Sequence, residues 1–281
     1  MVQTEQEKLI GTHPAVPHIF GVWLNSTDLP ASGNKKHRKT EEKGGTRDAA
    51  TNALAQWIVD YHVHNHSKKV IARKRAILEK HELDDYIDKM KLLPKAENIK
   101  KGNLGEIVLI EYLKASRGFE PIVHKLQYNT NADSSMKGDD VLMFNTKDLF
   151  SEVIYGECKF RSTPSKKVVD DIVKNQEGAK RLPASLEFVA NVLDDKSDTE
   201  LADSITELHL KIEEGTIPVT NVGFIISTKS DVREGLDTTK QVEKHLKTTN
   251  PRLVMISLGI DNPVQIVDEA FKRAEDIIKT L

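Results

Sequence analysis

Two stretches, Val219 to Ser227 and Leu253 to Ile260, are continuous apolar runs of strand length bounded by turn residues. Such a run has no polar face to turn toward water, so it suits a strand covered on both sides. A sheet flanked by helices provides that cover, and the neighbouring segments read as helices. They are Leu186 to Asp194, Thr199 to Glu213, and Pro263 to Leu281, the last with Ile266, Ala270, Ala274 and Ile277 at helical spacing. The expected fold is α/β, a mixed central sheet flanked by helices, with a helix-rich N-terminal region. At 281 residues and 38% hydrophobic content, the chain can bury a core as one large or two small domains.

The N-terminal third is read as follows. His18 to Leu24 suggests a strand after a proline-rich lead. Ser32 to Arg47 is almost purely charged and carries glycines, which predicts a solvated loop. Asp48 to Tyr61 predicts an amphipathic helix with Ala50, Leu54, Trp57 and Ile58 along one face, and Lys68 to Met90 a further basic helix. Pro94, after Leu92 and Leu93, breaks the pattern. The division expected is residues 1–95, helix-rich and available to dock a partner, and residues 96–281, which hold the chemistry. His62, His64 and His66 share a face only on a strand, and no cysteine or nearby carboxylate completes a zinc set, so a polar helix end is the expectation there.

The chemistry is concentrated between Lys137 and Phe160. Val141 to Phe144 and Val153 to Phe160 read as two strands around the turn formers of Asn145 to Ser151. Alternation puts Glu157 and Lys159 on one face with Val153 and Tyr155, and Ile154, Gly156, Cys158 and Phe160 on the other, core-facing side. An acid and a lysine on an otherwise apolar strand are costly unless something satisfies them. Asp139 and Asp140 precede the first strand, and one of them reaches the level of Glu157; Asp140 is favoured because it continues the strand, with Asp139 as the alternative. Two carboxylates and a backbone carbonyl form an oxygen set suited to Mg²⁺, with Mn²⁺ as a substitute, and such a set suits phosphodiester hydrolysis. Competing readings are a turn shaped by Gly138 with its aspartates, an ion pair at a sheet edge, and Cys158 as core packing.

Upstream, Gly102-Asn-Leu-Gly-Glu106 opens an apolar helix in which Glu106 shares a face with Leu109, Ile110 and Leu113. That places Glu106 toward the sheet, against the alternative of an acid favoured by the helix dipole. Arg161 to Ser165 leads into a helix running to about Leu182, with Ser165 at its N-cap. Lys137, Arg161, Lys166 and Lys167 form the expected nucleic-acid-binding patch around the acids.

Gly-Asp-Asp followed by Glu-Cys-Lys resembles the D…ExK signature of the PD-(D/E)xK nucleases. Gly-Asn-Leu-Gly-Glu, Lys-Gly-Asp-Asp-Val-Leu and Gly-Glu-Cys-Lys-Phe, in that order, resemble the nuclease subunit of Hachiman-type antiphage defence systems. The resemblance runs from about Lys100 to the C-terminus. It implies a Mg²⁺-dependent deoxyribonuclease in which Asp140 and Glu157 hold the metal with the Cys158 carbonyl, Lys159 orients the attacking water and Glu106 adds an outer carboxylate. It also implies a superfamily 2 helicase encoded alongside as partner, DNA as substrate, and a role in antiphage immunity. A restriction or repair endonuclease on the same core and a non-catalytic interaction subunit are the alternatives.

Composition narrows the setting. No stretch approaches the roughly 20 apolar residues of a membrane span. The N-terminus lacks a signal peptide's basic and apolar regions, and the single cysteine fits a reducing cytoplasm. A net charge of −2 gives little bulk attraction to DNA, so phosphate contact must be local.

Overall fold

The computed structural model describes residues 2–64, 68–70, 72–74, 77, 80–81, 92–129, 131–134, 140–163, 165–177, 182–229 and 238–280. Its centre is a six-stranded mixed sheet built from β1 (Leu24–Asp28), β2 (His37–Glu42), β3 (Val141–Phe144), β4 (Val153–Phe160), β5 (Val219–Thr228) and β6 (Leu253–Ile260). The spatial order is β1-β2-β6-β5-β4-β3. β2, β6, β5 and β4 run parallel, and the edge strands β1 and β3 are antiparallel to their neighbours. β6 is buried along its whole length and β5 at all but its ends, as their largely apolar sequences require, with Thr220, Asn221, Ser227 and Ser257 buried among the apolar residues.

One face is covered by α1 (Glu5–Ile10), α2 (Ile19–Trp23), α3 (Arg47–His62), α4 (Glu97–Arg117) and α9 (Pro263–Thr280). The other carries α5 (Lys166–Glu177) and α8 (Thr238–His245) over β5 and β6, and α6 (Leu182–Asp195) and α7 (Thr199–Glu213) beside β4. α3 lies against α9 with Leu54, Ala55 and Ile58 fully buried, so its apolar stripe faces the protein's own core. Since β1 and β2 extend the sheet beyond β6, the described residues before Lys95 share one core with the rest. No described helix is long and apolar enough to cross a membrane.

Three expectations change. His18 to Leu24 is mostly helix: His18 Nδ1 accepts the N–H of Phe20, capping α2, and the strand begins at Leu24. A short apolar run carries no period that separates helix from strand, and here the cap decides. Ser32 to Arg47 is not a solvated loop, because its middle is β2, inserted between β1 and β6. β2 buries its charges in pairs. Arg38 donates to both carboxylate oxygens of Asp28, at 2.6 and 2.9 Å, and to the carbonyl of Gly11. Glu42 receives Arg47 and the backbone N–H of Asp261. His37 lies between the Ser257 hydroxyl at 2.8 Å and the Glu243 carboxylate at 3.2 Å. Finally, α4 begins at Glu97 and not at Gly102, which puts Gly102 inside the helix.

Of the histidine trio, His62 ends α3 with both nitrogens engaged: Nδ1 with the Ile58 carbonyl at 2.8 Å and Nε2 with Asn103 Nδ2 at 2.9 Å. Burial pushes its pKa down to about 4. It is a neutral core group, while His66 lies outside the described residues.

Candidate active site

β4 carries the site, and α4 crosses one of its faces. The approach is close because Gly156 has no side chain: a Cβ there would stand 2.6 Å from Leu109 and 2.9 Å from Val141. Ile154, Cys158 and Phe160 lie in the same layer, as the alternation predicts, and the Cys158 thiol is pushed well above its ordinary range by burial and the surrounding acids. It is core packing and not a nucleophile. The other face is also packed, with Val153 and Tyr155 against α6 and α7.

β3 pairs with β4 only as far as Val141 opposite Gly156. Beyond that point the edge of β4 would be bare, and the Asp140 side chain takes the place of a strand: its Oδ2 accepts the backbone N–H of Cys158 at 2.8 Å. The N–H and C=O of one strand residue point to the same neighbour, so the Cys158 carbonyl faces this same edge. Asp140 is thus held at the level of Glu157 and Lys159 on the sheet's short outer side. Glu157, 9% exposed, receives the Lys159 ammonium and the Asn175 amide, the latter at 2.9 Å from α5. Glu106 sits on α4 with the Lys125 ammonium 3.2 Å away.

The electrostatics follow from crowding acids in a half-dry place. Burial, reinforced by the charges of Asp140 and Glu157, pushes Glu106 up to about 7, with Lys125 working in the opposite direction. Asp140 is raised by burial and by Glu157, against the pull of the Cys158 N–H and the two lysines. Burial works against the charge on Lys159, but its bond to Glu157 and the fields of Glu157 and Asp140 hold its pKa above the ordinary lysine value. Among the described residues no three His, Cys, Asp or Glu side chains form a complete metal cluster. What does converge is the two carboxylates of Asp140 and Glu157 and the Cys158 carbonyl, all oxygen donors. Two of the site's carboxyl groups gain from any added positive charge, which is the donor chemistry that suits Mg²⁺ or Mn²⁺.

Of the residues singled out in the sequence, Asp140, Glu157, Lys159 and Glu106 come together. Lys137 and Asp139 lie outside the described residues. Arg161 is exposed just past β4, while Lys166 and Lys167 are exposed in the first turn of α5, Lys166 lying 3.9 Å from Asp170. Two participants were missed. Asn175 comes from a helix with no motif of its own. Lys125 follows the turn after α4, and no local pattern distinguishes it from a surface lysine. A cavity of about 60 Å³ adjoins the acids, lined by Glu106, Lys125 and Asp140 on its polar side and by residues such as Leu142 and Phe188 on its apolar side.

A family model described as HamA matches residues 17–274 of this chain. The chain is also similar to the Hachiman protein HamA of Bacillus cereus, at 39% identity over 272 residues that cover 97% of this chain and 96% of that protein.

Proposed function

The chain belongs to the HamA family of Hachiman defence proteins, and from that premise and the geometry of β4 we propose that it is a metal-dependent DNA nuclease acting in antiphage defence. One observation carries the reading. The Asp140 carboxylate, by capping the Cys158 N–H, is fixed beside the buried Glu157 carboxylate and its partner Lys159. Asp140, Glu157 and the Cys158 carbonyl would hold the divalent cation. Bound there, it would supply charge stabilisation at the scissile phosphate and lower the pKa of a water.

The chain's own groups do the rest. Asn175 fixes the Glu157 carboxylate through Oε1. Lys159, held charged, orients a water or neutralises a phosphate oxygen as negative charge grows on it. Glu106, near neutrality in its titration, accepts or returns a proton at the rim. A purely structural subunit gains nothing from acids that burial and mutual repulsion disfavour, which speaks against the interaction-only alternative. A helicase encoded alongside, as the sequence resemblance implies, would deliver and gate the DNA.

The test is cleavage of linear, circular and single-stranded DNA with Mg²⁺, with and without that helicase. Glu157→Gln and Lys159→Met should each reduce cleavage by orders of magnitude while leaving the melting curve intact, and EDTA should abolish it. Full cleavage by folded Glu157→Gln protein would refute the assignment.

A further inference from the structure

Beyond Lys159 the chain forms a groove of about 500 Å³ between the first turns of α4 and the end of β4. Its walls include Glu97, Lys101 and Gly102 on the helix, and Lys159, Arg161 and Ser162 on and after the strand. Three of these six are cations, and Glu97 is the acid among the lining residues. Lys101 is held at the wall twice over, paired with Glu97 and placed over the Phe160 ring with its ammonium 5.6 Å from the centroid. The partner carboxylate is 62% exposed, so the ion pair is a weak surface one that a phosphate can replace. Arg161 donates one N–H to the Phe160 carbonyl at 2.8 Å and otherwise borders the groove.

Gly102 is the second, independent observation. It lies in the interior of α4, where glycine is the poorest helix former after proline. The other glycine of this helix, Gly105, faces β4, where a Cβ would make ordinary contact 3.4 Å from Cys158 Cβ. A Cβ on Gly102 would meet no described residue within 4 Å. Packing within the protein does not ask for glycine there, whereas close approach by a ligand backbone does.

We propose that this groove is the track for a single nucleic-acid strand, with Lys101 and Arg161 contacting its phosphates and Gly102 letting its backbone approach α4 on the way to Lys159. This rests on the nuclease reading for its direction, since the groove reaches Lys159, which is paired with Glu157. Its volume is that of a pocket for a ligand of drug size, so it accepts a nucleotide or two of one strand. A duplex needs a broad surface.

The test is fluorescence anisotropy of a labelled single-stranded oligodeoxynucleotide on the full chain in EDTA, so that binding is read apart from cleavage. Lys101→Gln and Arg161→Gln should each weaken binding and lower the slope of log affinity against log salt by about 0.7, the loss of one phosphate contact on a single strand. Gly102→Ala should raise the melting temperature, as alanine does in a helix, and yet weaken binding. Gly102→Leu should weaken it further. Unchanged affinity and salt slope in these variants would overturn the proposal, as would a lower melting temperature for Gly102→Ala. Tighter binding of the matching duplex through the same residues would overturn the single-strand assignment. Each of these results is separate from the cleavage test of Glu157, so the groove can fail while the nuclease stands, or the reverse.

Discussion

Glu106 titrates near 4.5 in an unfolded chain and near 7 in the fold, because burial and the charges of Asp140 and Glu157 penalise its ionised form. Between those values the unfolded chain has shed a proton that the folded one keeps. Unfolding therefore releases a proton in this window, and stability falls as pH rises from about 4.5 to about 7, then levels off. Glu106→Gln should remove that fall, a difference of about 1–3 kcal/mol between pH 5 and pH 8, read by urea denaturation in EDTA. An unchanged pH slope would mean that Glu106 is better solvated than its position indicates. Lys125→Met should act in the opposite sense at pH 8, destabilising the fold because the ionised Glu106 loses the cation 3.2 Å away. At this scale the sequence was readable where residues sit on one strand: alternation alone placed Glu157 beside Lys159. It was silent on Lys125 and Asn175, whose roles come from the carboxylates they meet and not from their own neighbours in the chain.

β2 is the element whose sequence misleads most. Lys35 to Glu42 reads as a solvated charge run because six of its eight residues are lysine, arginine or glutamate. The buried polar groups are answered from outside the segment, Arg38 by Asp28 and the Tyr112 hydroxyl, His37 by Ser257 and Glu243. No periodicity in the segment announces such partners. Arg38→Ala should accordingly cost about 3–5 kcal/mol, since it strands a carboxylate that is itself only 10% exposed. Lys39→Ala, which removes a partly exposed pair with Glu41, should cost less than about 1 kcal/mol. Thermal melts of the two variants decide this, and equal shifts would contradict the buried-pair account. The β5 and β6 strands were legible for the opposite reason, since a largely apolar run of strand length needs cover on both faces and leaves little choice.

For the whole molecule, the consequence lies in how the sheet is shared. Removing residues 1–95 deletes β1, β2 and α3, which strips the hydrogen-bonding partner from β6 and uncovers the buried faces of α9 and α4. A bare, largely apolar edge strand with an exposed core is an aggregation template. A chain beginning at Ala96 should therefore be insoluble or lack a cooperative melt, as circular dichroism and size-exclusion chromatography would show. A soluble monomer melting near the full chain would show that residues 96–281 fold alone.

The Asp140 carboxylate that seals the edge of β4 also limits which replacements the chain can tolerate at that position. Alanine would remove the charge and also leave the Cys158 N–H open to any strand that drifts past, so a loss of function and a gain of stickiness would arrive together. Asparagine keeps an acceptor for that N–H while giving up the charge. It is the exchange that parts the two duties, and a population of variants selected only for remaining soluble should accumulate it ahead of alanine.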